Sequence, residues 1–368
     1  MENLNINQKT ISWLNSVNGV SNGKIEKLLE YFNGNTQDLW DNFEAEKNNL
    51  FMLKSEIIHN LSVIKTDFEE KTLKKSSDEN SYIVTIYDEN YPKKLRQIDG
   101  APYILYCKGS LNNADNLSIA IVGSRKATDY GKWAAEKFTR ELSELGVNII
   151  SGLAVGIDTI AHKTALKCKA KTIGVIGCGI DIVYPKNNEA LYSMIAKENG
   201  AVITEYTFGM QPMPNNFHDR NRIISGLSDG VLVIEAQGRS GTLITAGHAA
   251  NQGREIFAVP GNIDSLYSKG TNALIKDGAK ITTNIEDIVE EILELKEKAR
   301  KIKHAIDLSN FTDDELKIIN CLKSGSKNIY EINEETDMGT NTTLSILTML
   351  EMKDAVKQLQ GQKFVLNV

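Results

Sequence analysis

The chain has 368 residues, 41% of them hydrophobic and 24% charged, with a formal net charge of −6. That is ordinary soluble-globular usage in a chain too long for one small domain, so two or three domains are expected. No apolar run approaches the roughly eighteen residues of a membrane span, and Met1-Glu2-Asn3-Leu4-Asn5 lacks the basic-then-apolar order of a signal peptide, so a cytoplasmic protein without membrane contact is expected.

Residues 8–60 read as short helices, with Ile25, Leu28, Leu29 and Phe32 at helical spacing after Val17-Asn18-Gly19-Val20-Ser21. The glycine turn suits either a helix-hairpin-helix or SAM-like DNA module or a small helical packing domain. Few basic residues and no second glycine at the usual spacing favour packing. This N-terminal domain is expected over residues 1–75, with a Lys/Glu/Ser-rich connector around 61–80. Tyr82-Ile83-Val84-Thr85-Ile86-Tyr87 then alternates as a strand, and Pro102-Tyr103-Ile104-Leu105-Tyr106 leads into the main domain, expected over 82–290.

From Ser118 onward, apolar runs at Ile119–Val122, Val147–Ile150, Thr172–Ile176, Ala201–Thr204, Val231–Ile234 and Ile256–Val259 alternate with helical segments. Continuous Val/Ile-rich runs belong to strands covered on both faces, which predicts a doubly wound, mostly parallel α/β sheet of extended Rossmann type. Function then sits at the carboxyl ends of the strands. Residues 291–310 read as a charged linker. Segments 312–323, 328–335 and 340–353, followed by Val356–Leu359 and Lys363–Leu366, predict three helices and a hairpin, the order of a winged helix over 311–368. Residues 312–368 hold six Lys against nine acids, which favours packing or protein contact over DNA reading there.

Charge is unevenly spread. Residues 118–283 carry 18 Lys/Arg against 15 Asp/Glu, whereas both flanks are acidic, so the middle is the favoured place for an anionic ligand. Three loops there attract attention. Val122-Gly123-Ser124-Arg125 ends the first parallel strand without a G-x-G-x-x-G fingerprint, and Arg125 either reaches an anion or pairs with a nearby acid. Arg220-Asn221-Arg222 places two guanidinium groups where a long irregular loop is expected to meet an apolar helix, and guanidinium donors fit phosphate. Arg239-Ser240-Gly241-Thr242 puts Gly-Thr at a helix start, where backbone N–H groups face an anion. Phe217 either offers a face to a stacked base or anchors the long loop on the core. Asp158 reads as a helix N-cap and His162 as a structural histidine. Lys186 and Asn187 sit on a strand-end loop and suit phosphate; Lys171, entering a strand, reads by itself as a solvated edge residue. Cys107, Cys168, Cys178 and Cys321 lie far apart without metal-ligand spacing, so no metal is expected, and the missing G-x-G-x-x-G and G-x-x-x-x-G-K-[ST] fingerprints predict no cofactor.

Gly123-Ser124-Arg125, Ser151-Gly152 through Gly156-Ile157-Asp158 with Ala161-His162, Gly179-Ile180-Asp181 with Tyr184-Pro185, Arg220 through Leu227, Arg239 through Thr245, and Val259-Pro260-Gly261 follow one another in a fixed order. Together they strongly resemble the DprA/Smf DNA-processing family over about residues 82–285. The resemblance implies a dimeric, non-enzymatic bacterial protein that protects incoming single-stranded DNA and loads RecA recombinase onto it during natural transformation. It implies Arg125 and Lys171 as central pocket contacts, with Lys186, Asn187 and Arg220-Asn221-Arg222 in support. It also implies a dimer contact through Leu274 and Ile275. The competing expectation is a Rossmann-like nucleotide-binding enzyme or sensor of the lysine-decarboxylase-like phosphoribohydrolase type. Against that enzyme, Arg239-Ser240 replaces its Gly-Gly and Thr245–Ala250 holds no acid.

Overall fold

The computed structural model describes residues 4–112, 114–198, 200–238, 240–304, 311–323, 325–353, 355–359 and 363–366. The chain divides after Ile292 into two compact units.

The first unit begins with five helices, α1 (Ile6–Asn15), α2 (Asn22–Tyr31), α3 (Thr36–Glu46), α4 (Ser55–Lys65) and α5 (Phe68–Asp78). Side-chain caps start α1 and α3: Asn5 and Gln8 form a capping box on α1, and the Asn35 side chain accepts from the first N–H groups of α3. Trp13 closes the bundle. It is fully buried, donates from Nε1 to the Leu61 carbonyl at 3.0 Å, and meets Trp40 and Phe43 edge-on. The boundary expected near residue 75 is not a break in packing. Trp13, Leu28 and Phe43 share one apolar cluster with Ile104, Leu153, Ile176 and Val202 of the α/β domain, because the helices cover apolar surface that the sheet and its loops would otherwise expose.

The strands are β1 (Tyr82–Thr85), β2 (Ile104–Gly109), β3 (Ser118–Val122), β4 (Asn148–Ser151), β5 (Thr172–Val175), β6 (Ala201–Thr204), β7 (Gly230–Val233), β8 (Glu255–Ala258) and β9 (Lys280–Ile281). They form one sheet in the order β1-β2-β6-β5-β4-β3-β7-β8-β9. All pairs from β6 to β9 are parallel, while β1 and β2 add an antiparallel edge. β3 through β7 are buried along their whole length, as their apolar runs require. The two-residue strand β9 was not legible in the sequence.

Helices α6 (Lys93–Arg96), α7 (Asp129–Glu144), α8 (Ile157–Lys167), α9 (Glu189–Lys197), α10 (Pro214–Gly226), α11 (Gly241–Asn251), α12 (Lys269–Lys276) and α13 (Glu286–Glu291) complete this unit. The chain runs outward from β3 through β4 and β5 to β6, then returns to the other side of β3 at β7. The loops after β3 and β7 therefore diverge and open a crevice at a topological switch point. One expectation fails: Arg220-Asn221-Arg222 do not stand at a loop–helix junction. Pro214 occupies the first helical position, where its fixed φ and missing N–H cost nothing, so α10 starts before Phe217.

In the second unit, α14 (Leu293–His304) occupies much of the expected linker. It is followed by α15 (Asp313–Leu322), α16 (Ile329–Thr336), α17 (Thr340–Met352) and the antiparallel sheet β10 (Lys327–Asn328), β12 (Lys363–Leu366) and β11 (Val356–Leu359). Capping boxes from Thr312 and Asn328 start α15 and α16, and Lys353 at the end of α17 pairs with Glu315 at 2.8 Å. Helix α17 contains neither Lys nor Arg.

Candidate nucleic-acid interface

The crevice at the carboxyl ends of β3 and β7 is a cleft of about 710 Å³. Its first wall is the loop Gly123–Lys126, pinned from both sides. Gly156 has φ +85 and lies so close that an added Cβ would fall 2.3 Å from the Ser124 carbonyl oxygen, so only glycine lets α8 begin there. At the far end, the buried Glu235 carboxylate accepts from the Thr128 N–H at 3.1 Å and from the Thr128 hydroxyl, and an added Cβ on Gly131 would strike it. Between these fixed points the side chains of Arg125 and Lys126 are exposed. The Arg125 guanidinium stands over the Phe217 ring, 5.7 Å from its centroid.

The second wall comes from α10 and the start of α11. Phe217 is half-buried and tilts against exposed Tyr184 at 5.5 Å, so it both faces the cleft and helps to close it. Ser240, Gly241 and Thr242 line the cleft at the α11 N-terminus; the Ser240 hydroxyl is buried without a partner among the described residues, and Asn221 steadies the turn by donating to the Gly241 carbonyl at 3.2 Å. Arg239 lies outside the described residues. Tyr184, which belongs to one of the family motifs, also lines the cleft, as do Lys126, His218 and Gln237, which no sequence signal marks apart from the place of Lys126 beside Arg125.

Three expected phosphate contacts are corrected by their surroundings. Arg220 touches the cleft but is 5% exposed, and it donates from Nη1 to the carbonyls of Gly152, at 2.7 Å, and Val175. Burial lowers its pKa while the nearby Asp158 charge opposes that shift, and its two bonds tie α10 to the loop after β4 and to the end of β5 from inside. Arg222, two residues on and roughly 200° around the helix, points away from the cleft and clasps Glu205 with bonds of 2.8 and 2.7 Å. Lys171 precedes β5 and so lies at the amino edge of the parallel sheet, opposite Arg125. Its Nζ is shut off from solvent and unpaired among the described residues, and burial lowers its pKa. Lys186 and Asn187 are exposed on a 3₁₀ turn beside Tyr184, at the rim and not within the cleft.

Asp158 does not cap α8 either; Gly156 takes that position. Its buried carboxylate accepts from the N–H groups of Gly152 and Ala154 at 3.2 and 3.4 Å, and burial raises its pKa to about 6 against the opposing charge of Arg220. His162 is fully buried, shares a hydrogen bond of 2.7 Å with the Thr172 hydroxyl, and is pushed down by burial to about 3. Asp158 is the one carboxylate among the described residues lining the cleft. What the cleft offers a ligand is a guanidinium, an ammonium, aromatic faces, hydroxyls and helix-start N–H groups, a set matched to phosphates and flat rings.

Donor loops at the switch point of a doubly wound parallel sheet define a Rossmann-like domain whose cleft is suited to an anion. Residues 82–293 match the family model of DNA recombination-mediator protein A, and the chain belongs to that family. Protein Smf of Escherichia coli is 41% identical over 213 residues, which are 58% of this chain and 57% of that protein. The DNA processing protein DprA of Streptococcus pneumoniae is 44% identical over 207 residues, 56% of this chain and 73% of that one. The chain thus spans little more than half of the first relative's length. An X-ray structure of the S. pneumoniae protein superposes with a TM-score of 0.68 at 36% identity, covering 79% of this chain and 99% of that one. DNA processing protein A from Helicobacter pylori, described for a unique single-stranded DNA binding mode, gives a TM-score of 0.53 at 33% identity over 58% of this chain and 96% of its own. No described helix is long and apolar enough to cross a membrane.

Proposed function

We propose that this protein holds single-stranded DNA in the cleft between the Gly123–Lys126 loop and α10, protects it, and hands it to RecA recombinase during natural transformation. It acts by binding and not by catalysis, as a cytoplasmic homodimer. The observation that carries the reading is the exposed Arg125 guanidinium poised over Phe217 at the mouth of a donor-lined cleft. The likeness to the H. pylori protein adds support.

Phosphates neutralised by Arg125, Lys126 and, at the rim, Lys186 give affinity without sequence reading and release counterions, so binding weakens as salt rises. Phe217 and Tyr184 supply ring faces that only unpaired bases reach, which favours single strands over duplex. Association through α12 would let two clefts hold one strand at two points and raise avidity. Leu274 is already engaged with its own core, which leaves half-buried Ile275 as the more available of the two expected contacts.

Titration of fluorescent oligothymidylate and of mononucleotides at two salt concentrations tests the reading. The expected result is oligonucleotide binding that weakens with salt and negligible mononucleotide binding. Micromolar mononucleotide binding without oligonucleotide binding would overturn it in favour of a nucleotide enzyme or sensor.

A further inference from the structure

Outside the cleft, the largest exposed aromatic surface of the α/β domain lies on the first turns of α7. Tyr130 and Trp133 are 46% and 57% exposed, and their rings stack at 6.0 Å with an interplanar angle of 29°. Tyr and Trp combine a large apolar face with a polar handle and are enriched at interfaces, so two such rings stacked side by side in water mark a contact surface. The pair is also held in place. The Tyr130 hydroxyl donates to the Pro260 carbonyl at 2.9 Å, and the Lys137 ammonium stands 5.6 Å from the centre of the Trp133 ring. A surface that is built and wet at once is prepared for contact.

Its occupant follows from what adjoins it. Thr128 caps α7 and is gripped by Glu235, so the cleft loop and the aromatic pair are parts of one rigid turn. Lys126 lines the cleft, and Tyr130 follows four residues later. Along the helix, Tyr130, Trp133, Lys137 and Arg140 recur at spacings of three and four and share one face. Asp129, the residue before Tyr130, is engaged by Lys132 at 2.9 Å, and Glu235, the acid whose charge acts on Tyr130, is held by Thr128. Two aromatic rings followed by two cations on one helix face, next to the donor-lined cleft, are the composition of a platform for single-stranded nucleic acid, where rings take bases and cations take the backbone.

We propose that Tyr130 and Trp133 form a second base-stacking subsite, which receives the nucleotides of a single strand as it leaves the cleft past Lys126. This inference rests on the reading of the cleft as a single-stranded DNA site. Since stacking on a ring does not depend on base identity, the subsite lengthens the bound segment without adding sequence preference.

The test is a length series of oligothymidylates titrated against the full chain and three variants, Trp133→Ala, Trp133→Phe and Arg125→Ala. Trp133 is exposed, so its replacement leaves the core intact, and circular dichroism checks this. For the shortest strands that bind, Trp133→Ala should match the parent chain. Beyond the length that fills the cleft it should fall behind by about tenfold, the order of one lost stack. Trp133→Phe should restore most of the difference, and abasic nucleotides at the outer positions should abolish it. Equal affinity of the parent chain and Trp133→Ala at every length, while Arg125→Ala binds weakly, would overturn the subsite and leave the cleft standing. A Trp133→Ala deficit that is constant across all lengths would likewise overturn it. If the parent chain binds no strand, or Arg125→Ala binds as well as the parent, the cleft reading itself fails.

Discussion

Arg125 and Arg220 stand over the same Phe217 ring, 5.7 and 5.9 Å from its centroid, yet they serve different ends. Arg125 comes from a loop whose ends are fixed by Gly156 and Glu235, so its own side chain is free to remain in water. Arg220 comes from the interior of α10 and directs its donors into the protein, to the carbonyls after β4 and at the end of β5. A buried guanidinium with its donors engaged organises a site, while an exposed one with free donors binds at it. The cleft needs both, and a substitution should affect stability in one case and affinity in the other.

The largest effect is expected from Arg220→Met. It strands two carbonyls and leaves Asp158 without its neighbouring positive charge, so stability should fall by about 3 kcal/mol, read from the urea midpoint. An unchanged midpoint combined with lost DNA binding would erase the contrast between the two arginines. Next, Arg125→Ala should weaken oligothymidylate binding by about tenfold, reduce the slope of log affinity against log salt by about one, and leave the melting temperature in place. Lys171→Ala serves as its counterpart at the opposite edge of the sheet, and should leave affinity unaltered. Loss of affinity in Lys171→Ala would return that lysine to the cleft.

The smallest effect concerns acid. The folded pKa of Asp158 is raised from 3.8 to about 6, so its contribution to stability is complete below its unfolded value and is lost as pH rises through about 6. His162 is lowered from 6.5 to about 3, so its contribution is present above 6.5 and is lost as pH falls through about 3. The two slopes oppose each other between pH 4 and 6 and largely cancel. Asp158→Asn removes one of them, and its stability should then rise with pH across this window more steeply than that of the parent chain. Parallel profiles from chemical denaturation at each pH would show that Asp158 is not held near neutrality by burial.

Much of this was readable in the residues. The Val/Ile runs located β3 through β8, and the final pair of strands fell on Val356–Leu359 and Lys363–Leu366 as expected, because hydrophobic period is local. Pro214 is itself a signal for an earlier start to α10, since proline suits a first helical position, and it carries the arginine pair into the helix. Strand polarity likewise sufficed to set Lys171 opposite Arg125, since one precedes a parallel strand and the other follows one.

The sequence by itself determined the order of elements, the family and the list of cations. Only the tertiary structure decided which of those cations meet the solvent. Arg220 finds its carbonyls 68 and 45 residues away, Arg222 finds Glu205 at 17, and Thr128 is held by Glu235 at 107. Those partners are brought together by sheet order, and the charge of a side chain becomes available to a ligand only where folding has left it without such a partner.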